Sequence, residues 1–365
     1  MEQASNWLVE LQHGEGAWSV VCGVLCDDGQ SDSTKWLAAT VLSNKLRETG
    51  DLLAHAERQQ LMADALGYLA GSAGSTPPRG PPLTVAVCRA AVCGGAAGIA
   101  ALIEEAPKRL GDGEAMLAVL AALPDEWAGR ADGQTGELLP LHDAVLKAVG
   151  AALQTLGGAG AEQYPLVRTA MKALLNWLQK GGLPIDTLHT GGMVSGLAPA
   201  LIVPELFSAV AELFTALCDE CHNASNEAAL FLVTIVMAQL AQLEGPITTA
   251  AQDPDATQSS LEVANLLASL GNNALSVHEQ PPLLQDTADA ASMVRIGLVC
   301  AGHLSPSVRE SSLEFWTRLA ALLSDHPTPA LKPAFAQLLQ LMLESCSYPL
   351  DFESDGTDRW QDSSE

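Results

Sequence analysis

The stretch that decides the fold is CAGHLSPSVRESSLEFWTRL, Cys300–Leu319. An apolar helix end leads into a Gly-His-Leu-Ser-Pro break, and a second helix follows. Its apolar residues recur with a 3.6-residue period and share one face: Val308, Phe315, Trp316, Leu319, Leu322 and Leu323. Pro306 stands in the first turn, where its missing N–H would be unpaired anyway. The stretch predicts a helix–turn–helix unit with one buried stripe, in which Trp316 is a structural anchor.

The same pattern recurs along the chain between Gly/Pro breaks, and no segment alternates with the period of a strand. Helices are expected at about 4–13, 15–27, 31–48, 56–72, 82–103, 113–123, 139–157, 164–181, 204–222, 225–244, 258–276, 287–302, 306–325 and 329–348. Paired helices every ~40–47 residues are typical of HEAT and armadillo repeats. We therefore predict an all-α, HEAT-repeat (armadillo-like), right-handed α-solenoid, since a single pair cannot bury its own stripe.

Composition and charge restrict the partners. The chain has 365 residues, of which 48% are hydrophobic and only 4% aromatic, which suits close packing of helices. Its formal net charge is −25, from 43 acidic and 18 basic residues. Such a surface repels nucleic acid and anionic lipid and attracts basic proteins. Simple solubility remains an equal explanation of the acidity.

No targeting or membrane segment is expected. The N-terminus MEQASNWLVEL lacks the charged and apolar regions of a signal peptide, so the eight cysteines are predicted to be reduced thiols. Two apolar segments, 82–103 and 228–243, are interpreted as helices buried between neighbours. The first carries Arg89 in its middle, and the second is short for a span.

Several blocks resemble nuclear transport receptors of the importin-β (karyopherin-β) family, in the branch that holds transportin-SR and importin-13. They are WLVELQHGEGAWSVVCGVL (Trp7–Leu25), TKWLAATVLSNKLR (Thr34–Arg47), LAVLAALPDEW (Leu117–Trp127) and KALLNWLQKGGLP (Lys172–Pro184), together with Cys300–Leu319. The blocks stand in the family's order. The resemblance implies importin-β N-terminal-like repeats over 1–103 and further repeats over 104–348. An acidic, disordered tail is expected over 349–365.

The resemblance also implies a function. It implies a receptor that shuttles between nucleus and cytoplasm, contacts nucleoporins and binds Ran-GTP and protein cargo, including SR-type or other basic proteins. Inner helices of the first repeats bind Ran-GTP in the family, so the resemblance implies that Lys35, Asn44, Lys45 and Arg47 project towards it. An ordinary polar helix face explains each of these residues at least as well. Family members are longer, so the chain is interpreted as an N-terminal part or an incomplete gene model. The alternative is a generic HEAT/armadillo scaffold without Ran dependence.

Acidic residues could contact basic partners. The candidates are Asp125, Glu126, Asp355 and Asp358. For each of them taken alone, an ordinary solvated loop or helix end is the favoured explanation.

No catalytic, cofactor or metal site is predicted. Cys218-Asp-Glu-Cys221-His222 has the spacing of a haem attachment motif, but it falls in a helical run and lacks the second ligand pair that zinc needs. The histidines are scattered. His303, in the helix–helix turn, is expected to cap a carbonyl. No phosphate-binding glycine loop or nucleophile elbow occurs, so an enzyme is not expected.

Overall fold

The computed structural model describes residues 14, 17–72, 80–111, 113–130, 135–154, 161–251, 253, 256–274, 282–285 and 287–346. These residues form seventeen α-helices and no strand, which confirms the prediction of an all-α solenoid. The helices are α1 (Ala17–Cys26), α2 (Asp32–Thr49), α3 (His55–Ala70), α4 (Gly80–Val92), α5 (Gly95–Leu110), α6 (Glu114–Ala128), α7 (His142–Leu153), α8 (Tyr164–Gln179), α9 (Ile185–Thr190), α10 (Met193–Leu197), α11 (Pro204–Asp219), α12 (Asn226–Gln242), α13 (Glu244–Ala250), α14 (Thr257–Ser269), α15 (Ala288–Ala301), α16 (Pro306–Asp325) and α17 (Lys332–Cys346). The predicted helix 4–13 and the acidic tail, with Asp355 and Asp358, lie outside the described residues.

The chain forms two compact units, one up to Ala200 and one from Leu201 onward. In the first unit, α2, α4, α6 and α8 contact one another in succession and form one layer. Helices α1, α3, α5 and α7 each pair with the helix that follows them. The second unit has the same arrangement, with α11, α14 and α16 in one layer and α12, α15 and α17 in the other. Within each unit, every pair therefore buries its apolar stripe against its neighbours, as in a solenoid.

Local sequence sets where many helices begin. The hydroxyls of Ser31, Ser225 and Thr287 each accept a backbone N–H from the first turn of the helix that they precede. Proline stands at one of the first two positions of several helices, among them α8, α11 and α16. These side chains satisfy or remove N–H groups that have no partner inside the helix.

The predicted single helix 82–103 is wrong. The segment forms two helices that turn at Gly94, and Gly95 adopts a positive φ of 66° that favours glycine. A Cβ on Gly98 would lie 2.2 Å from the carbonyl oxygen of Ala91, so the turn packs more closely than any larger residue allows. The residues across this turn, 92–100, are all small or apolar, so the sequence pattern did not reveal the break.

The apolar pattern of the sequence also failed to predict three short helices, α9, α10 and α13. Helix α13 follows α12 after a bend of 57°. Within the described part of the chain, no single helix is long and apolar enough to cross a membrane; the bent pair α12 and α13 reaches that length and apolar composition only when the two helices are taken together. One face of α12 is buried inside the second unit, as predicted for segment 228–243.

Four of the six residues predicted for the buried stripe of α16 are buried, whereas Leu322 and Leu323 are half-buried. Val308, Phe315 and Leu319 are fully buried, and Trp316 is 2% exposed. The Trp316 indole N–H donates to the Gly297 carbonyl at 3.2 Å. The indole also makes edge-on contacts with Phe315 and Phe335, with ring centroids 5.6 Å and 5.3 Å apart. Trp316 therefore joins α16 to α15 and α17.

His303 accepts a hydrogen bond in the turn between α15 and α16, and the expectation that it caps a carbonyl was wrong. Its Nδ1 accepts the Ser305 backbone N–H at 3.0 Å, and its side chain is buried. The His303 carbonyl instead accepts from Arg309 at 2.7 Å. Burial and the neighbouring Arg309 charge lower the pKa of His303 below its ordinary 6.5. A neutral ring suits this turn, because protonation would place a second proton opposite the Ser305 N–H.

This arrangement predicts a loss of stability in acid. The unfolded chain takes up the proton at about pH 6.5, whereas folded His303 resists it, so stability should fall as the pH drops below 6.5 towards the lower folded pKa. Thermal melts at pH 7.5, 6.5 and 5.5 should show this fall. His303→Asn keeps an acceptor for Ser305 but cannot titrate, so its melting temperature should decline less. Identical declines in both proteins would contradict the assignment.

Candidate partner-binding site

Two of the four polar residues predicted to project from α2 are buried. Lys35 is 7% exposed and Lys45 4% exposed. The Lys45 ammonium donates to the Gly14 carbonyl at 3.0 Å and lies 5.5 Å from the centroid of the Trp18 ring. Lys35 lies 3.8 Å from an Asp28 carboxylate oxygen. The expectation that these two lysines project towards a partner was therefore wrong, because their stems pack within the helix layers.

The other two residues are accessible. Asn44 is half-buried, and Arg47 is exposed near the end of α2. Arg47 lines a cleft of about 530 Å³ formed where α2, α4 and α6 end. The cleft's charged lining residues are Arg47, Asp51, Arg89, Asp125, Glu126 and Arg130. The structure thus brings Arg47, a predicted Ran contact, together with Asp125 and Glu126, which were predicted to contact basic partners.

Arg89 links three helices of the same layer beneath the cleft. It is 6% exposed. Its Nε donates to Glu126 on α6 at 2.7 Å, and its Nη1 donates to both the carbonyl and the hydroxyl of Ser43 on α2 at 2.7 Å each. A guanidinium suits this position because its donors form a fixed fork. Arg89 therefore sets how α2, α4 and α6 lie relative to one another at the cleft.

The acidic residues of the cleft already have cationic partners. Asp125 accepts from Lys180 at 2.5 Å and from Asn176 at 3.3 Å, and Glu126 is paired with Arg89. Arg130 pairs with Asp51 at 3.0 Å and also donates to the Val92 carbonyl. A basic partner would have to displace these cations, so Asp125 and Glu126 are not an open acidic patch. Within the cleft, three cationic and three anionic side chains balance one another.

Sequence reasoning noted Arg89 but missed its role. An arginine inside an apolar run was the available signal, because a buried charge requires a partner. Ser43 and Glu126 stand 46 and 37 residues away in the chain, about one repeat to either side.

The Cys218–His222 motif does not gather its side chains into a site. Cys218 and Cys221 are buried, whereas His222 is exposed, with its Nδ1 2.9 Å from the Asp219 carbonyl. Burial raises the pKa of Cys218 well above its ordinary value and that of Cys221 to about 12. Over the described residues, no group of three or more His, Cys, Asp or Glu side chains could hold a metal ion.

Comparison with known proteins adds one informative match. Two crystal structures of engineered proteins from the Northeast Structural Genomics Consortium resemble the fold with TM-scores of 0.43 and 0.33. Each is 13% identical in sequence; the matches cover 86% and 89% of this chain and 97% and 93% of theirs. The search of curated proteins found no match. Residues 4–70 match the family model described as the importin-beta N-terminal domain. This match contains α1 to α3 and supports membership of the importin-β family.

Proposed function

We propose that this chain is a nuclear import receptor of the karyopherin-β type, which binds Ran-GTP and protein cargo and carries cargo through the nuclear pore. The observation that carries the proposal is the match of residues 4–70 to the importin-beta N-terminal domain. The blocks quoted from the sequence favour the branch of transportin-SR and importin-13. The proposal includes contacts with nucleoporins and shuttling between nucleus and cytoplasm. It assigns the chain a binding function and no catalytic step.

The two-layer stack suits such a receptor. Neighbouring helix pairs contact one another mainly through side chains, so small adjustments between pairs change the curvature of the stack. Two partners that prefer different curvatures would then affect each other's affinity without overlapping. The charged cleft could sense such adjustments, because Arg89 and its partners connect α2, α4 and α6.

Within the proposed Ran-binding surface, Arg47 is the residue to test first. It is exposed at the end of α2 and lines the cleft, and Asn44 lies one turn earlier on the same helix. Lys35 and Lys45 are buried, so we propose that they support this surface by holding α2 in place. Charge reversal at either lysine would therefore act through folding as well as binding.

The chain should bind Ran loaded with a non-hydrolysable GTP analogue more tightly than Ran-GDP. Arg47→Glu should weaken the GTP-bound complex by about 1–3 kcal/mol if Arg47 makes a charge-assisted hydrogen bond. Titration calorimetry with both nucleotide states would measure this. Lys147→Glu is the matched control, because Lys147 is exposed in the same unit but on α7. Equal affinity for the two nucleotide states would favour a generic scaffold instead.

A further inference from the structure

The second unit contains an apolar pocket of about 250 Å³. It opens between α11, α13 and α14, where the bend between α12 and α13 places Pro246 in the first turn of α13. The pocket is lined mainly by Ile202, Phe207, Leu243, Ile247, Ser260 and Val263. Ile202 is 45% exposed, which leaves apolar surface at the mouth. A cavity of roughly 150 Å³ with a similar lining accommodates benzene, so this pocket has room for one aromatic or branched side chain.

One polar group in the lining lacks a partner. Ser260 is 3% exposed, and among the described residues its hydroxyl has no hydrogen-bond partner. A buried hydroxyl without a partner is unfavourable, because it has lost its hydrogen bonds to water. A ligand that placed a donor or acceptor beside Ser260 would remove this penalty. The pocket therefore lacks one hydrogen-bond partner, for the Ser260 hydroxyl, and a bound ligand could supply it.

The charge around the pocket is negative. Between Lys180 and Arg295 the chain contains no lysine or arginine, whereas it contains thirteen Asp and Glu residues. Glu205 is exposed and follows Pro204, which lines the pocket. Glu262 precedes Val263 and accepts hydrogen bonds from the neutral groups of Ser208 and Gln258 at 2.7 Å and 3.0 Å, so its charge is not neutralised by them.

One nearby carboxylate does have a cation. Arg295 binds Glu244 through two hydrogen bonds of 2.5 Å and 2.9 Å. Glu205 and Glu262 do not line the pocket themselves, but each adjoins a lining residue in the chain, Pro204 and Val263. They therefore remain to attract a cationic partner near the pocket.

We propose that this pocket binds a basic protein segment in which a single aromatic or branched apolar side chain is flanked by lysines or arginines. The apolar side chain fills the space between α11, α13 and α14, the flanking cations contact Glu205 and Glu262, and a polar group of the segment pairs with Ser260. The proposal rests on the function proposed above, since such a segment would belong to a cargo protein. Nucleic acid does not fit, because the surrounding charge is negative.

The probe for this site is a short fluorescent peptide with one phenylalanine between two lysine triplets, tested against the full chain by fluorescence anisotropy. One companion peptide carries glutamine in place of every lysine, and another carries alanine in place of the phenylalanine. The parent peptide should bind best and weaken as salt is added. Removing the phenylalanine should weaken binding roughly ten- to hundredfold, which corresponds to the loss of one buried side chain.

Variants of the protein locate the site. Ala250→Trp fills the pocket from the end of α13 and should abolish binding of the peptide. Glu205→Gln and Glu262→Gln leave the fold intact and should each weaken binding about two- to fivefold, the usual weight of an exposed ion pair. The matched controls are Ala320→Trp, Glu310→Gln and Glu314→Gln, all at exposed positions on α16. These controls should bind like the parent chain.

Two results would overturn the proposal. Equal binding of the glutamine peptide would show that cations are not recognised, and unchanged binding to the glutamate variants would place the peptide elsewhere. Ran-GTP affinity should be the same for Ala250→Trp and the parent chain, because the pocket lies outside the first unit. Loss of peptide binding with normal Ran binding therefore supports the pocket. If the peptide binds the pocket but Ran-GTP does not change its affinity, the proposed receptor function is refuted and the proposal for the pocket stands.

Discussion

Replacing Trp316 by alanine is expected to lower the free energy of unfolding of the second unit by about 3–5 kcal/mol. The indole is 2% exposed and packs against Phe315 and Phe335. Its removal leaves a cavity at the contact of α15, α16 and α17 and also takes away the donor to the Gly297 carbonyl. Hydrogen exchange should therefore become faster over about 287–346, while protection before Gly182 stays unchanged, since a repeat contacts only its neighbours.

The matched control is Trp36→Ala. Trp36 is 39% exposed on α2, so the same chemical change should cost far less and should affect the first unit. If Trp316→Ala left exchange over 287–346 unchanged yet abolished binding of a partner, Trp316 would be a surface contact, and the assignment of the buried face would be wrong.

Replacing Arg89 by alanine is expected to destabilise the first unit by about 3 kcal/mol. Removing one partner of a buried ion pair costs about 3–5 kcal/mol, because the other charge is left without compensation. The lower value applies here, since the Glu126 side chain keeps 21% of its surface exposed. The carbonyl and hydroxyl of Ser43 lose their donor as well. Urea unfolding monitored by circular dichroism would measure the change.

Two further variants sharpen this experiment. Arg109→Ala removes an exposed arginine that donates to the Ala63 carbonyl at 3.1 Å, and it should cost less than about 1 kcal/mol. Arg89→Met combined with Glu126→Leu replaces the pair by apolar side chains and should recover part of the loss. A double variant no more stable than Arg89→Ala would show that the bonds to Ser43, and not the ion pair, dominate.

Apolar periodicity predicted most helices because each one buries a single stripe. Of the six residues that the pattern identified for the buried face of α16, four are buried, and Leu322 and Leu323 are half-buried near the end of the helix. The same reasoning failed at 82–103, where the residues across the turn are all small or apolar and the turn depends on glycine. It also missed α13, because seven residues are too few to show a period.

The candidate site was predicted only in part. The family resemblance pointed to Arg47, residue type pointed to Asp125 and Glu126, and the cleft contains all three. Residue type did not reveal that Asp125 and Glu126 are paired with Lys180 and Arg89. Nor did it show that Lys35 and Lys45 are buried, since a lysine stem packs as readily as an apolar side chain.

By itself, the sequence determined the helical class, the repeat spacing and the acidic surface, because these depend on periodicity and composition over many residues. The match of residues 4–70 to an importin-beta N-terminal domain depends on sequence in the same way. Only the tertiary structure decided which charges pair. Arg89 meets Ser43 and Glu126 across 46 and 37 residues, and the pocket beside Ser260 joins three helices. Such contacts depend on how successive helix pairs stack, and no local pattern encodes that.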